Sequence, residues 1–310
     1  MVMRSEVIQN QNLYDFTKKW FAIAALFAAP VSFFYDAPFG RFAGKDQSGF
    51  PWVNGIKSWV VMESTSFIVC IFAYMTSPLS FKNYGHSPEI SLSNPTAILS
   101  GLFLIHYTNR AFISPLRTPT RSKFHIIIPL TAITYTMVNG TLIGSYLSSP
   151  EAATFLTGAF SRPRFWFGIG LWILGFVGNI VHDEILFDLR RNPKPQAKAK
   201  SDGQDREDSD EEDDNNGKEK TPHYAIPYGY LYRFISYPNY FCEWLEWFGF
   251  ALAAAPIPSL FHISSYQPPW VFLLTEVVTM FPRAYRGHQW YHRRFPDYPK
   301  ERKAVIPFVV

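Results

Sequence analysis

The sequence predicts an all-α fold, a polytopic membrane protein of about seven transmembrane helices around an internal cavity, and three observations carry that prediction. Of its 310 residues, 47% are hydrophobic and 18% aromatic against 17% charged, which is more apolar than an average soluble domain. Seven apolar runs approach the roughly 20 residues that a helix needs to cross a hydrocarbon core of about 30 Å. Lys and Arg collect in alternate connections between those runs. The mean hydropathy of -0.05 conceals the pattern, because residues 192–223 hold ten of the 25 acidic and six of the 29 basic residues. Outside that stretch 23 basic residues face 15 acidic ones.

Taken in order, the runs are 20–35, 52–76, 95–115, 124–147, 165–187, 240–261 and 269–285. The first is short and holds Pro30, yet Glu6 and Asp15 precede it and no small-x-small cleavage site follows, so an anchor is expected and not a signal peptide. Residues 1–19 then form an N-terminal segment on the lumenal side, and 20–191 a membrane domain with spans one to five. Residues 192–223 read as a disordered cytosolic insert, since they lack the apolar area that would offset the entropy of ordering them. Ser209 in "EDSDEED" suits an acidophilic kinase, although a solvated spacer explains the same composition. Residues 224–310 supply spans six and seven and a basic tail. Arg41, Lys45 and Lys57 follow the first span, Arg117, Arg121 and Lys123 the third, Arg190, Arg191 and Lys194 the fifth, and Arg293, Arg294, Lys300, Arg302 and Lys303 the seventh. With seven spans all four groups share one face, which predicts a cytosolic C-terminus. Cys70 and Cys242 lie inside apolar runs and read as small hydrophobes. No CxxC, HExxH, P-loop or GxGxxG unit occurs, and neither a metal nor a nucleic-acid partner is expected.

Function is expected where polar groups enter the spans, because ionisable side chains in hydrocarbon are costly and face a bundle interior or a wet cavity. They cluster at Glu63 in "VVMESTSF", in "LFLIHYTNRAF" (His106 to Arg110), in "GNIVHDEILFDLR", at Asn239, Glu243 and Glu246 in "NYFCEWLEWFGFALA", and in "RAYRGHQWY". Asn179 and Asp183 are spaced i, i+4, as are Asn239 and Glu243, so each pair occupies one helix face. Glu246 stays near that face and is expected to tie its helix to another span, while Trp244 and Trp247 meet lipid or pack against neighbours. Amides, carboxylates and tyrosines suit ribose hydroxyls and a carboxamide, and rim Arg and Lys suit phosphates. A bulky anionic cofactor entering from the basic face is the physical expectation; spacing does not say which.

Four stretches then resemble the steroid 5α-reductase family of membrane-embedded NADPH-dependent reductases: "GNIVHDEILFDLR", "YAIPYGYLYRFISYPNYFCEWLEWFGFALA", "RAYRGHQWY" and the terminal "FPDYPKERKAVIPFVV", whose DYPKxRKAxIPF pattern is the most specific. "MESTSF", "LFLIHYTNRAF" and "NGTLIGSYL" match less closely, so the resemblance runs from about Phe39 onward. It implies a seven-helix fold with a cofactor/substrate cavity, in which Asn179, Asp183, Arg190, Tyr224, Asn239, Glu243, Tyr291, Arg302 and Arg121 line NADPH, and Glu63 and Tyr107 reach a substrate carbonyl. Two departures are evident. Phe39 stands where the family usually has Tyr, and a His-rich stretch of some members reads Arg286, Gly287, His288 here.

The implied chemistry is reduction of a carbon–carbon double bond conjugated to a carbonyl, with charge spreading to oxygen as an enolate that a donor can stabilise. Tyr107, and Glu63 if protonated, are the donors expected, and the enone lipid is expected to be a Δ4-3-ketosteroid. Very-long-chain trans-2-enoyl-CoA reductases and polyprenol reductases share the implied fold and ending. Isoprenylcysteine methyltransferases use a different order, HPxYxxE, where this chain has "YPNYFCE". A non-enzymatic sterol-binding protein is the remaining alternative. The expected setting is the endoplasmic reticulum, with membrane lipid and a lipid substrate as partners.

Overall fold

A computed structural model describes residues 2–34, 51–80, 88–119, 121–192, 225–259 and 265–310. They form helices α1 (Val2–Phe34), α2 (Gly55–Thr76), α3 (Pro95–Thr108), α4 (Ser114–Arg117), α5 (Ile127–Leu147), α6 (Pro150–Leu156), α7 (Pro163–Arg191), α8 (Pro238–Ala254) and α9 (Pro268–Arg294). A π-helical turn, Asn109–Ile113, joins α3 to α4. Two short strands, β1 (Trp52–Val53) and β2 (Phe124–His125), pair antiparallel with Trp52 opposite His125. Phe39, Arg41, Lys45, Lys194, Tyr224 and the acidic stretch with Ser209 lie outside the described residues.

Local signals set the helix starts. Asn54 Oδ1 accepts from the backbone N–H of Ile56 and Lys57 at 3.1 and 3.0 Å, Asn94 Oδ1 accepts from Thr96 N at 3.0 Å, and Pro opens α3, α6, α7, α8 and α9; side-chain caps and N1 proline suit the first turn, whose N–H groups lack helical partners. Among the described residues each apolar run overlaps a long helical segment, with α3, the π turn and α4 making one continuous pass. The first helix begins at Val2, so residues preceding the first run are continuous with it.

Three of these helices, α2, α5 and α7, are long and apolar enough to cross a membrane, with mean hydropathy of 1.5, 1.3 and 1.5 over 18 residues. The others fall short for local reasons. Helix α8 has 17 residues, α3 yields to the π turn after Thr108, and α9 carries Glu276, Arg283 and Arg286. Outward faces are apolar in a way that water does not favour: Phe72 of α2, Leu174 of α7 and Phe27 of α1 are 68%, 63% and 75% exposed.

Packing depends on close backbone approach. A Cβ on Gly144 of α5 would lie 2.5 Å from the Cys70 carbonyl oxygen of α2, and one on Gly175 of α7 would lie 2.4 Å from the Glu246 nitrogen of α8; between apolar helices, such small residues are what permits contact. Trp244 and Trp247 are both buried, and the Trp247 ring meets Phe103, His106, Phe250 and Phe272. Arg117 of the third connection and Arg191 at the end of α7 come together. Arg117 pairs with Glu184 at 2.6 Å, Arg191 Nη2 donates to the Arg117 carbonyl, and Arg286 Nη1 donates to the Phe33 carbonyl at 3.0 Å. Backbone bonds from Ser236 and Tyr237 to the carbonyls of Lys303 and Ala304 fix the tail beneath α8.

Candidate functional site

Carboxylates of four helices act on the Arg110 guanidinium, which emerges from the π turn: Glu63 of α2, Asp183 of α7, Glu243 of α8 and Glu276 of α9. Glu63 of α2 lies 3.7 Å away and Glu243 of α8 3.6 Å. The π turn suits this place, since such single turns re-aim side chains and often mark functional sites. Tyr107, one turn earlier, is buried, and its hydroxyl oxygen accepts from Asn139 Nδ2 of α5 at 3.3 Å. Glu63 lies within electrostatic reach of Tyr107.

From Glu243 a ladder of amides and carboxylates runs between α7 and α8. Asn179 Nδ2 donates to Glu243 Oε2 at 3.2 Å and to the Asn239 carbonyl at 3.0 Å, and Asn239 Nδ2 donates to Asp183 Oδ1 at 2.9 Å. The two i, i+4 pairs of the sequence thus face each other across antiparallel helices. Glu246 does tie its helix to another: His106 Nδ1 of α3 meets Glu246 Oε1 at 2.7 Å, both side chains buried.

Beyond Asp183 the site turns basic. Trp59 lies between two guanidiniums, with Arg121 3.8 Å and Arg110 5.0 Å from the ring centre, and its Nε1 donates to the Arg110 carbonyl at 3.0 Å. Arg121 Nε is buried without a hydrogen-bond partner among the described residues. Burial, then the neighbouring charges of Arg110 and Arg190, pull the Arg121 guanidinium down to about 10, so a bound anion would favour its charged form. Arg190 lies within electrostatic reach of Asp183.

A second arm follows the tail. Arg302 is 2% exposed, sits 5.0 Å from the ring centres of Tyr228 and Tyr298, and keeps Nε and Nη1 without a hydrogen-bond partner among the described residues. It lines a groove of about 940 Å³ together with His182, Arg233, Cys242 and Glu301. Tyr291 stacks on Tyr298, with ring centres 5.1 Å apart at 15°. Burial raises the Tyr298 phenol above its ordinary value, against its bonds to Ser236 and Arg302. Tyr232 lies within electrostatic reach of both Tyr291 and Asp183, linking the arms.

Several site groups carry no prior signal as a set: Arg110 as the centre, Asn139 as the partner of Tyr107, and Glu276, an in-span carboxylate that accepts from the Tyr135 hydroxyl at 2.7 Å. Polarity within apolar runs was the available sign for all three. The Arg286–Gly287–His288 departure also has a physical reading. A Cβ at Gly287 would fall 1.6 Å from the Tyr237 hydroxyl oxygen, so glycine here admits Tyr237, while His288 Nδ1 meets Ser236 Oγ at 2.6 Å.

The model of the 3-oxo-5-alpha-steroid 4-dehydrogenase family matches residues 122–202 and 208–310. An uncharacterised protein of Schizosaccharomyces pombe is 36% identical over 290 residues, covering 91% of this chain and 94% of its own length. The 3-oxo-5-alpha-steroid 4-dehydrogenase 1 of Bos taurus is 31% identical over 275 residues, 88% of each chain. A steroid 5-alpha-reductase of Solanum lycopersicum is 28% identical over 305 residues, 97% of this chain and 98% of its own. With the family model matched over more than half its length, the chain belongs to the 3-oxo-5-alpha-steroid 4-dehydrogenase family of oxidoreductases acting on CH–CH bonds.

Proposed function

We propose that this chain is a membrane-embedded, NADPH-dependent reductase of an enone lipid, with a Δ4-3-ketosteroid as substrate and its 5α-dihydro derivative as product. The observation that carries the reading is the convergence on Arg110: a buried tyrosine hydroxyl and a carboxylate on one side, an amide–carboxylate ladder ending in basic side chains on the other. Glu63 and Tyr107 polarise the substrate carbonyl. Asn179, Asp183, Asn239 and Glu243 hold the polar body of the cofactor, while Arg121, Arg190, Tyr224, Tyr291 and Arg302 complete its binding. The residues fit such a group, because the N–H groups of Arg121 and Arg302 that lack a partner among the described residues are buried donors suited to phosphate oxygens.

When bound, reduced nicotinamide supplies the hydride that reaches the β-carbon. Tyr107 donates its O–H to the oxygen on which charge develops, with Asn139 fixing that phenol from behind. Arg110 holds Glu63 and Glu243 toward one another, and so holds α2 in register with α8. The surrounding Phe103, Trp247 and Phe250 exclude water, which strengthens each polar contact inside.

On the same reading all seven long helical passes cross the membrane of the endoplasmic reticulum, with the basic end and the C-terminus cytosolic. The clustering of Arg117, Arg191 and the tail at one end of the bundle supports that orientation.

The test is to purify the full chain in detergent and follow NADPH oxidation with a Δ4-3-ketosteroid, a trans-2-enoyl thioester and a polyprenal-type enal side by side. Oxidation with the ketosteroid and appearance of its 5α-dihydro product is the expected result. Preference for another enone would move the substrate class, and no oxidation with any of them would overturn the reading.

A further inference from the structure

Tyr135, Thr275 and Glu276 form a polar group that the reduction described above leaves unused, and that reduction, on which the present inference rests, leaves one atom without a source. Hydride supplies one hydrogen at the β-carbon; the α-carbon still needs a proton. Tyr135 of α5 donates to Glu276 Oε1 at 2.7 Å and lies 2.8 Å from Thr275 Oγ1, both on α9. Thr275 is fully buried. A carboxyl inside a span is costly unless a cation or a function offsets it; Arg110 acts on Glu276 through space, but its close contacts at 3.7 and 3.6 Å go to Glu63 and Glu243, and the close partner of Glu276 is the Tyr135 hydroxyl.

Position relative to Tyr107 decides the matter. Tyr135 and Asn139 are four residues apart on α5 and share a face, about 5–6 Å from each other. Asn139 is the residue that holds the Tyr107 hydroxyl, and Tyr135 and Glu276 each lie within electrostatic reach of Tyr107. In an enone the α-carbon is bonded to the carbonyl carbon. A group that protonates it must therefore stand near the group that holds the oxygen, and Tyr135 stands one helical turn from Asn139, the residue bonded to the Tyr107 hydroxyl.

We propose that Tyr135 is the acid that protonates the α-carbon, with Glu276 replacing the proton it gives up. Hydride leaves the reduced nicotinamide with its electron pair and forms the β-carbon–hydrogen bond, and the alkene pair moves to give the enolate. The enolate pair then takes the Tyr135 O–H proton at the α-carbon and the carbonyl re-forms. Glu276 enters the step as a carboxylic acid whose Oε1 accepts from the Tyr135 O–H; once that proton has gone to the α-carbon, the carboxyl turns its own O–H to the tyrosinate, and water recharges Glu276. The alkene gains two electrons and the nicotinamide loses two; one proton comes from solvent. Thr275 orients the phenol.

The experiment compares wild type, Tyr135→Phe, Glu276→Gln and Glu276→Asp as purified full chains, using NADPH and the enone that wild type reduces best. Measured together are NADPH affinity, melting temperature, turnover, the solvent deuterium isotope effect and the effect of deuterium at the transferred position of NADPH. Loss of a general acid costs about 10²- to 10⁴-fold, so Tyr135→Phe should fall by that much at unchanged NADPH affinity, with Glu276→Asp retaining more turnover than Glu276→Gln. As protonation becomes the slow step, the solvent isotope effect should rise and the nicotinamide effect shrink. Should Tyr135→Phe fail to fold, the nearly isosteric Glu276→Gln carries the same isotope comparison. Wild-type turnover in both variants, or slow turnover with both isotope effects unchanged, overturns the proposal. A wild-type protein that oxidises NADPH with no enone overturns the reductase reading itself and this step with it.

Discussion

Arg110 is where single residues decide the outcome. Its guanidinium stands 3.7 Å from Glu63 and 3.6 Å from Glu243, so Glu63 faces a cation, while the Tyr107 oxygen accepts from Asn139 and, on the proposed reading, its own O–H serves the substrate. Tyr107→Phe should therefore bind NADPH and melt as wild type does, yet turn over about a hundred- to a thousandfold more slowly, the usual cost of one oxyanion donor; equal loss of affinity, melting temperature and turnover would assign the phenol to packing instead. Glu63→Gln, which keeps a donor and leaves Arg110 its Glu243 partner, should lose less. On the proposed reading Arg302 is the counterpart on the cofactor side. Its two nitrogens without a hydrogen-bond partner among the described residues predict that Arg302→Ala weakens NADPH binding by about 1.5 to 3 kcal/mol, roughly ten- to a hundredfold, readable by titration of NADPH fluorescence, and an unchanged dissociation constant would remove Arg302 from the site. The residue scale was partly legible in the sequence. The i, i+4 pairs Asn179/Asp183 and Asn239/Glu243 follow from helical period alone, whereas the centring on Arg110 depends on which helices touch, and period carries no such information.

Helix pairs set the precision of that site, because the ladder of Asn179, Asn239 and Glu243 works only while α7 and α8 remain at close approach. Gly175 is the contact that allows it: an added Cβ would meet the Glu246 nitrogen at 2.4 Å and the Cys242 carbonyl at 2.5 Å, both backbone atoms that cannot swing aside. Gly170, on the same helix, would place a Cβ with nothing within 4 Å. Gly175→Ala should lower the melting temperature and weaken NADPH binding together, through overpacking worth about 1–3 kcal/mol, while Gly170→Ala should match wild type or gain slightly from lower chain entropy when unfolded. Thermal melts of the two in the same detergent test this; equal melts would show that the helices separate without cost. At this scale the sequence announced the helices but not their joints. Apolar runs give length, and Pro and Asn give starts, but the π turn at Asn109–Ile113 has no composition of its own and arises where α3 must present Tyr107 and Arg110 to partners on three other helices.

Across the whole molecule, the apolar runs were legible because a helix that crosses lipid demands a long unbroken stretch, and two of the segments that fall short by hydropathy, α8 and α9, carry Glu243 and Glu246, and Glu276 and Arg283. The acidic stretch between α7 and α8 obeys the opposite logic, holding ten of the 25 acidic residues and almost nothing to bury. The elements on either side are fastened without it. Arg191 closes the end of α7 against Glu184, Asp188 and the Arg117 carbonyl, and past the stretch Leu231 N donates to His182 Nε2 and the Tyr232 hydroxyl to the His182 carbonyl, each at 3.2 Å. The tail then closes the same region through Ser236 and Tyr237. Replacing residues 198–220 by a short Gly/Ser linker, with Arg190, Arg191 and Tyr224 retained, should therefore leave NADPH affinity and turnover close to wild type, since loop-closure entropy changes by only about 0.6 kcal/mol per halving of length. The measurement is turnover and melting temperature of the purified deletion beside the full chain. A well-folded deletion that loses most of its activity would mean that the acidic residues act on the basic rim of the site, and Ser209→Ala would then separate a charge effect from a phosphorylation effect.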